Sequence, residues 1–148
     1  MAQISSKNAQ VSQLIHTFGG KLVGDNQTKR LVCETLLLMP PKVIGYVTKN
    51  CWFLSSTTDA WAYTFHGQDI PGQHLIFLSD ELLKQHKKQI QYTIAHEVGH
   101  VILGHRNSVN YRQTRREIQK QEKEADKFAK NYVKLDKPVI KENICYNF

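Results

Sequence analysis

The amino-acid sequence predicts an α+β domain, with helices at the N-terminal end, a small, mostly antiparallel sheet in the middle, and two further helices after it. Three features carry that expectation. Apolar residues recur at helical spacing up to about residue 47, the spacing turns to alternation from Cys51, and helical spacing returns from Ile90 to Leu135. A chain of 148 residues is long enough for a proper core, so one domain spanning residues 1–148 is expected.

The elements follow in order. Between Ser6 and Phe18, Val11, Leu14, Ile15 and Phe18 share one helical face, which ends at Gly19-Gly20. A loop through Gly24-Asp25-Asn26 leads to Leu31–Met39, apolar enough for helix or strand; pattern alone does not separate them. Pro40-Pro41 reads as a stop and then a helix start, with Pro41 in the first turn and Val43, Ile44 and Val47 facing inward. Residues 51–55 and 60–65 are aromatic-rich strands around a Thr58-Asp59 turn. In the second strand Trp61, Tyr63 and Phe65 alternate with polar and small residues and are read as core. Gly67–Gly72 is a loop by composition, and His74–Ser79 is a third strand, so an antiparallel meander fits.

From Ile90 the chain reads IQYTIAHEVGHVILGH. At about 100° per residue, Ile90, Ile94, Val98, Val101 and Ile102 form an apolar stripe, and His96 and His100 fall on another face. Those two histidines, one turn apart, can reach one ion. With Glu97 they make the His-Glu-x-x-His pattern of zinc-dependent hydrolases, in which the glutamate serves as general base toward water. The plain alternative is a helix that happens to carry surface histidines.

Catalytic zinc usually takes three protein ligands. His105 is one candidate for the third, but Gly104 before it reads as a helix end, which leaves His105 solvated just beyond. Glu122 is the better one. In the helix-favouring stretch Tyr111–Leu135, Ile118, Ala125, Ala129, Tyr132 and Val133 share a stripe with Glu122 in its middle. Glu117 and Glu124 fall on the opposite, polar side. A carboxylate on a buried face is costly unless it is paired or binds a metal. Asp126, one turn later, is placed to accept a hydrogen bond from a ligand histidine.

HEVGHVILGH followed by EKEADKFAKNYV resembles the ImmA/IrrE family of zincin metallopeptidases. Glu122, Ala125, Asp126, Phe128 and Ala129 match that family's second motif, Glu-x-x-Ala-Asn/Asp-x-Phe-Ala. The segment HLIFLSDELLKQHKKQIQYTIA is similar to its strand and short helix before the active-site helix. The likeness covers roughly residues 70–135 and departs from the family after Leu135. It implies a zincin-like fold with an active-site helix and a C-terminal glutamate helix, and one zinc ion held by His96, His100 and Glu122. It further implies selective cleavage of a protein or peptide substrate, often a transcriptional repressor. Leu75, Ile76, Phe77 and Leu78 would form the strand that pairs with substrate. His66, His74, Tyr92 and Tyr111 are each candidates to donate a hydrogen bond in the transition state; the sequence does not choose among them.

Cys33, Cys51 and Cys145 are odd in number and scattered, which fits neither a disulfide framework nor a Cys-x-x-Cys site. No window is apolar enough for a membrane span and the N-terminus lacks a signal-peptide pattern, so a cytoplasmic location is expected. The net charge of +7 lies mostly after residue 83, at Lys84, Lys87, Lys88, Arg112, Arg115, Arg116, and lysines from Lys120 to Lys137. Such a surface can attract an acidic protein or nucleic acid, but no helix-turn-helix or aromatic-interleaved basic motif appears. A solvated helix face is the expectation. The functional alternative is a non-catalytic binding module that keeps the fold for docking; the intact Glu97 argues against it.

Overall fold

The computed structural model describes residues 2–56, 62–65, 72–105 and 113–135. Its order is α1 (Ala2–Phe18), α2 (Asn26–Leu36), α3 (Pro41–Asn50), β1 (Cys51–Ser56), β2 (Ala62–Phe65), β3 (His74–Ser79), α4 (Asp80–Leu83), α5 (Lys87–Ile102) and α6 (Arg115–Tyr132). The α+β class stands. The Thr58-Asp59 turn, Trp61, His66, Tyr111, Arg112, Lys137 and Cys145 lie outside the described residues, as do the side chains of Tyr63 and Phe65.

Of Leu31–Met39, Leu31–Leu36 is helix and forms the end of α2, while Leu37–Met39 lie beyond it. Asp25 supplies the start, its Oδ1 accepting the Thr28 N–H at 2.8 Å, and such a cap stabilises a helix by about 1 kcal/mol. Every residue from Leu31 to Leu36 is buried, so this end of α2 is enclosed on all sides. The expected loop therefore ends one residue sooner, at Asp25. Pro41 sits in the first turn of α3, where its missing N–H costs nothing. Val47 is fully buried, with Val43 and Ile44 packed beside it. Phe18 at the end of α1 meets Phe53 of β1 edge-on, ring centroids 5.8 Å apart.

The sheet corrects the expected meander. Its order is β1-β3-β2, with β1 parallel to β3 and β2 antiparallel to it. The physical reason lies in composition. HLIFLS is the strand that gains most from the centre, and Ile76 and Leu78 are buried there. Leu75, Ile76, Phe77 and Leu78 are paired with β1 on one side and β2 on the other, so, contrary to what the resemblance implies, they have no free edge to add a substrate strand. The outer edge of β1 is partly covered, since Phe53 donates to Lys21 O and accepts from Val23 N, each at 2.9 Å. Among the described residues, the outer edge of β2 has no such partner, and β2 lies against α5.

The central helix is α5. Ile90, Ile94, Val98 and Val101 are buried as the stripe requires, but every residue from Gln89 to Gly99 is buried too. The histidine face is not open because α6 covers it. His86 caps α5, its Nδ1 accepting the Gln89 N–H at 3.3 Å. Lys87, the first helical residue, reaches the buried Glu34 of α2 at 2.8 Å, and Arg30 holds the same carboxylate at 2.7 Å. That pairing fixes where α5 begins. No helix among the described residues is long and apolar enough to cross a membrane.

Candidate metal centre

Helix α5 contributes two imidazoles and α6 one carboxylate. His96 Nε2 lies 2.9 Å from Glu122 Oε2 and 3.1 Å from His100 Nε2. His100 Nε2 is 3.1 Å from Glu122 Oε1. Ligands around a tetrahedral zinc at 2.0–2.1 Å lie about 3.3 Å apart, so the three groups already stand near the edges of such a shell. His96, His100 and Glu122 form a group able to hold a metal ion. Periodicity selected Glu122 over Glu117 and Glu124, and the geometry brings it to both rings.

The electrostatics fit a cation as well. Burial works against a charged His96, but hydrogen bonds to Asp126 and Glu122 and the negative charge of Glu97 outweigh it, raising its pKa to about 10. Burial likewise disfavours the Glu122 carboxylate, yet His100 and His96 hold its pKa well below the usual range. Glu97 is itself buried, at 4% exposure. Glu122 on the Nε2 side, Asp126 on the Nδ1 side and the charge of Glu97 thus all favour positive charge at His96, and Glu122 would favour a divalent ion between the two rings.

The sign follows from the raised pKa. In the metal-free protein a protonated His96 stabilises the fold fully below its unfolded pKa of 6.5, and that contribution is lost as pH climbs toward 10. Glu122, with its pKa depressed, contributes above 4.5 and loses its effect as pH falls below that value. A metal ion held by His96 would have to displace that ring's proton, so its affinity is expected to rise with pH, by about tenfold per unit, until the His96 pKa of about 10 is reached. Isothermal titration in buffers of different ionisation enthalpy would count the released proton; release of none would remove the proton from this place.

The neighbours of these groups are ordered. Asp126 Oδ1 accepts from His96 Nδ1–H at 2.9 Å and from the Tyr92 hydroxyl at 3.0 Å. Tyr92, weighed above as a transition-state donor, is committed instead to holding Asp126. His74, weighed likewise, faces Tyr46 of α3, Nε2 to hydroxyl at 3.0 Å.

His105 departs most from expectation. Rather than solvated, it is 6% exposed. Gly104, at φ +69°, donates to Val101 O at 3.2 Å, and His105 N donates to His100 O at 3.0 Å. This is a Schellman turn, and it swings the chain back beneath the helix end. The His105 ring then meets His100 Nδ1 to Nδ1 at 2.9 Å and Glu124 Oε2 through Nε2 at 2.8 Å. Burial lowers the pKa of His105 against the raising effect of Glu124. Glu124, assigned to the polar face of α6, is therefore a partner of this histidine.

Close packing brings the two helices together. A methyl group on Gly99 would stand 3.1 Å from Phe128 Cβ and 3.1 Å from its Cδ1, while Ala125 and Ala129 are fully buried in α6. Gly99→Ala gains about 1 kcal/mol of helix propensity but overpacks at a cost of about 1–3 kcal/mol. Because one neighbour is a Cβ fixed to the backbone, a net loss of stability is expected in denaturant unfolding. A gain would mean that the helices can separate freely.

The fold and the site define an α+β protein carrying, between two helices, a His/His/Glu group suited to a metal ion. Residues 87–139 match the Peptidase U49 family model, a stretch that takes in all of α5 and α6, so this part of the chain is similar to a peptidase family. Searches of curated proteins and of solved structures found no match. The match points to proteolysis and does not reach the ImmA/IrrE family in particular.

Proposed function

We propose that the protein is a zinc-dependent metallopeptidase acting on a selected protein partner, such as a transcriptional regulator. The observation that carries this reading is the convergence of His96 Nε2, His100 Nε2 and the Glu122 carboxylate within 3.1 Å of one another, with Glu97 next in sequence to the first ligand. Zinc held by those three would polarise a scissile carbonyl and lower the pKa of a nearby water. Glu97 takes the proton from the attacking water and can return it to the departing amine. Asp126, steadied by Tyr92, keeps a hydrogen on His96 Nδ1, so that once the second proton is displaced the Nε2 lone pair faces Glu122 and His100.

An extended substrate fits best along β2, whose outer edge has no partner among the described residues and which lies beside α5. The motif likeness to ImmA/IrrE proteins supports selectivity for a partner. Cys33 and Cys51 are buried free thiols whose pKa values are pushed up to about 12 by desolvation, which keeps them unreactive; a cytoplasmic setting is part of the proposal. The test joins metal analysis of the purified protein with a count of new N-termini, by mass spectrometry, in a cell extract treated with it. One zinc per chain and chelator-sensitive new termini are expected. Zinc without any cleavage would favour a binding module, and no zinc at all would end the proposal.

A further inference from the structure

We propose that His105 and Glu124 form a positioning relay that fixes the ring of His100 for metal binding. The inference rests on the zinc reading above. It starts from hydrogen counting. Two ring nitrogens, His100 Nδ1 and His105 Nδ1, stand 2.9 Å apart, and two bare lone pairs at that distance repel, so one of them carries a hydrogen. His100 Nε2 points at Glu122 and His96; to offer its lone pair to an ion, the neutral ring must carry its hydrogen on Nδ1. His100 therefore donates and His105 Nδ1 accepts. The His105 hydrogen is then on Nε2, which donates to Glu124 Oε2 at 2.8 Å. A carboxylate only accepts, so the chain ends there with every hydrogen placed.

The two ligand histidines are thereby served by different devices. His96 donates directly to Asp126, four residues after Glu122. Among the described residues no carboxylate meets His100 Nδ1; the imidazole of His105 does, and it passes the interaction on to Glu124. The Schellman turn at Gly104 is what brings that imidazole into place. The relay also joins α5 to α6 a second time, since Glu122 and Glu124 lie on the same helix. His105 is thus a positioning residue and not a ligand: both of its ring nitrogens are committed, and the metal-holding group comprises His96, His100 and Glu122.

The test measures zinc affinity by chelator competition in the full chain, with His105→Ala, Glu124→Ala, Glu124→Gln and the ligand variant His100→Ala. Imidazole 15N NMR of the zinc-loaded parent supplies the tautomers. Loss of a hydrogen-bond partner to a ligand histidine typically weakens binding by about 10–100-fold. That range is expected for His105→Ala, a smaller loss for Glu124→Ala, and partial recovery for Glu124→Gln, whose amide oxygen can still accept. His100 should show Nδ1–H and His105 Nε2–H. Glu124 is 41% exposed at its side chain, so its variants should fold, and thermal unfolding checks this. Parental zinc affinity in both His105→Ala and Glu124→Ala overturns the relay while leaving the metal site intact. A His105→Ala loss as complete as that of His100→Ala, or a zinc-shifted His105 nitrogen, makes His105 a ligand and also overturns it. A parent that binds no zinc removes relay and metal reading together.

Discussion

Replacing Glu97 with glutamine is expected to abolish cleavage and leave zinc bound. The substitution keeps the shape of the side chain and removes its capacity to accept a proton, while His96, His100 and Glu122 stay in place. Loss of a general base costs about 10²–10⁴ in rate. The readouts are zinc content by mass spectrometry and new N-termini in a treated extract, compared with the parent. A variant that cuts at the parental rate would strip Glu97 of its assigned role. The same variant is a trap: with chemistry blocked, a bound partner should co-purify, and its identity would name the substrate directly.

Removing Glu122, the proposed third ligand, should have the largest effect on metal binding. Structural zinc sites bind with about 10–16 kcal/mol over four ligands, so one ligand is worth on the order of 3 kcal/mol, or about two orders of magnitude in affinity. Glu122→Ala is expected to lose zinc to that extent in chelator competition. Glu117→Ala, at an exposed position in the first turn of the same helix, should lose none. Equal affinities in the two variants would mean that the carboxylate between the rings is not a ligand. The metal-free Glu122→Ala protein should also hold the His96 proton less tightly, because one of the hydrogen bonds that raises its pKa has gone. A lowered midpoint for His96 in an NMR titration would record this.

Local rules made much of this molecule legible. The periodicities of α5 and α6 placed His96, His100 and Glu122 on facing surfaces, and Asp126 followed by one helical turn. What stayed hidden was long-range. Residues 31–39 could not be assigned from apolar content, and the deciding signal was the Asp25 cap upstream. The β1-β3-β2 order was invisible because alternation within a strand says which residues face a core, not which strand lies next door. Gly104 announced the end of α5 correctly. The destination of His105 depends on Glu124, which lies 19 residues further on and meets it only once α6 has docked. The spacing of His105 from His100 was visible throughout; its second partner was not.

The cross-helix contact at Gly99 and Phe128 has a consequence for how the site comes into being. Helix α5 is walled in by the rest of the protein, so its amides should be among the slowest to exchange with deuterium, opening only when the whole domain does. Helix α6 is the more exposed of the two and rests mainly on α5, so its amides are expected to exchange faster than those of α5. Two of the three candidate donors thus sit on the buried helix and the third on the more exposed one. An arriving ion would act as the clasp, and its uptake should be visible as slowed exchange along α6 while α5 stays unchanged.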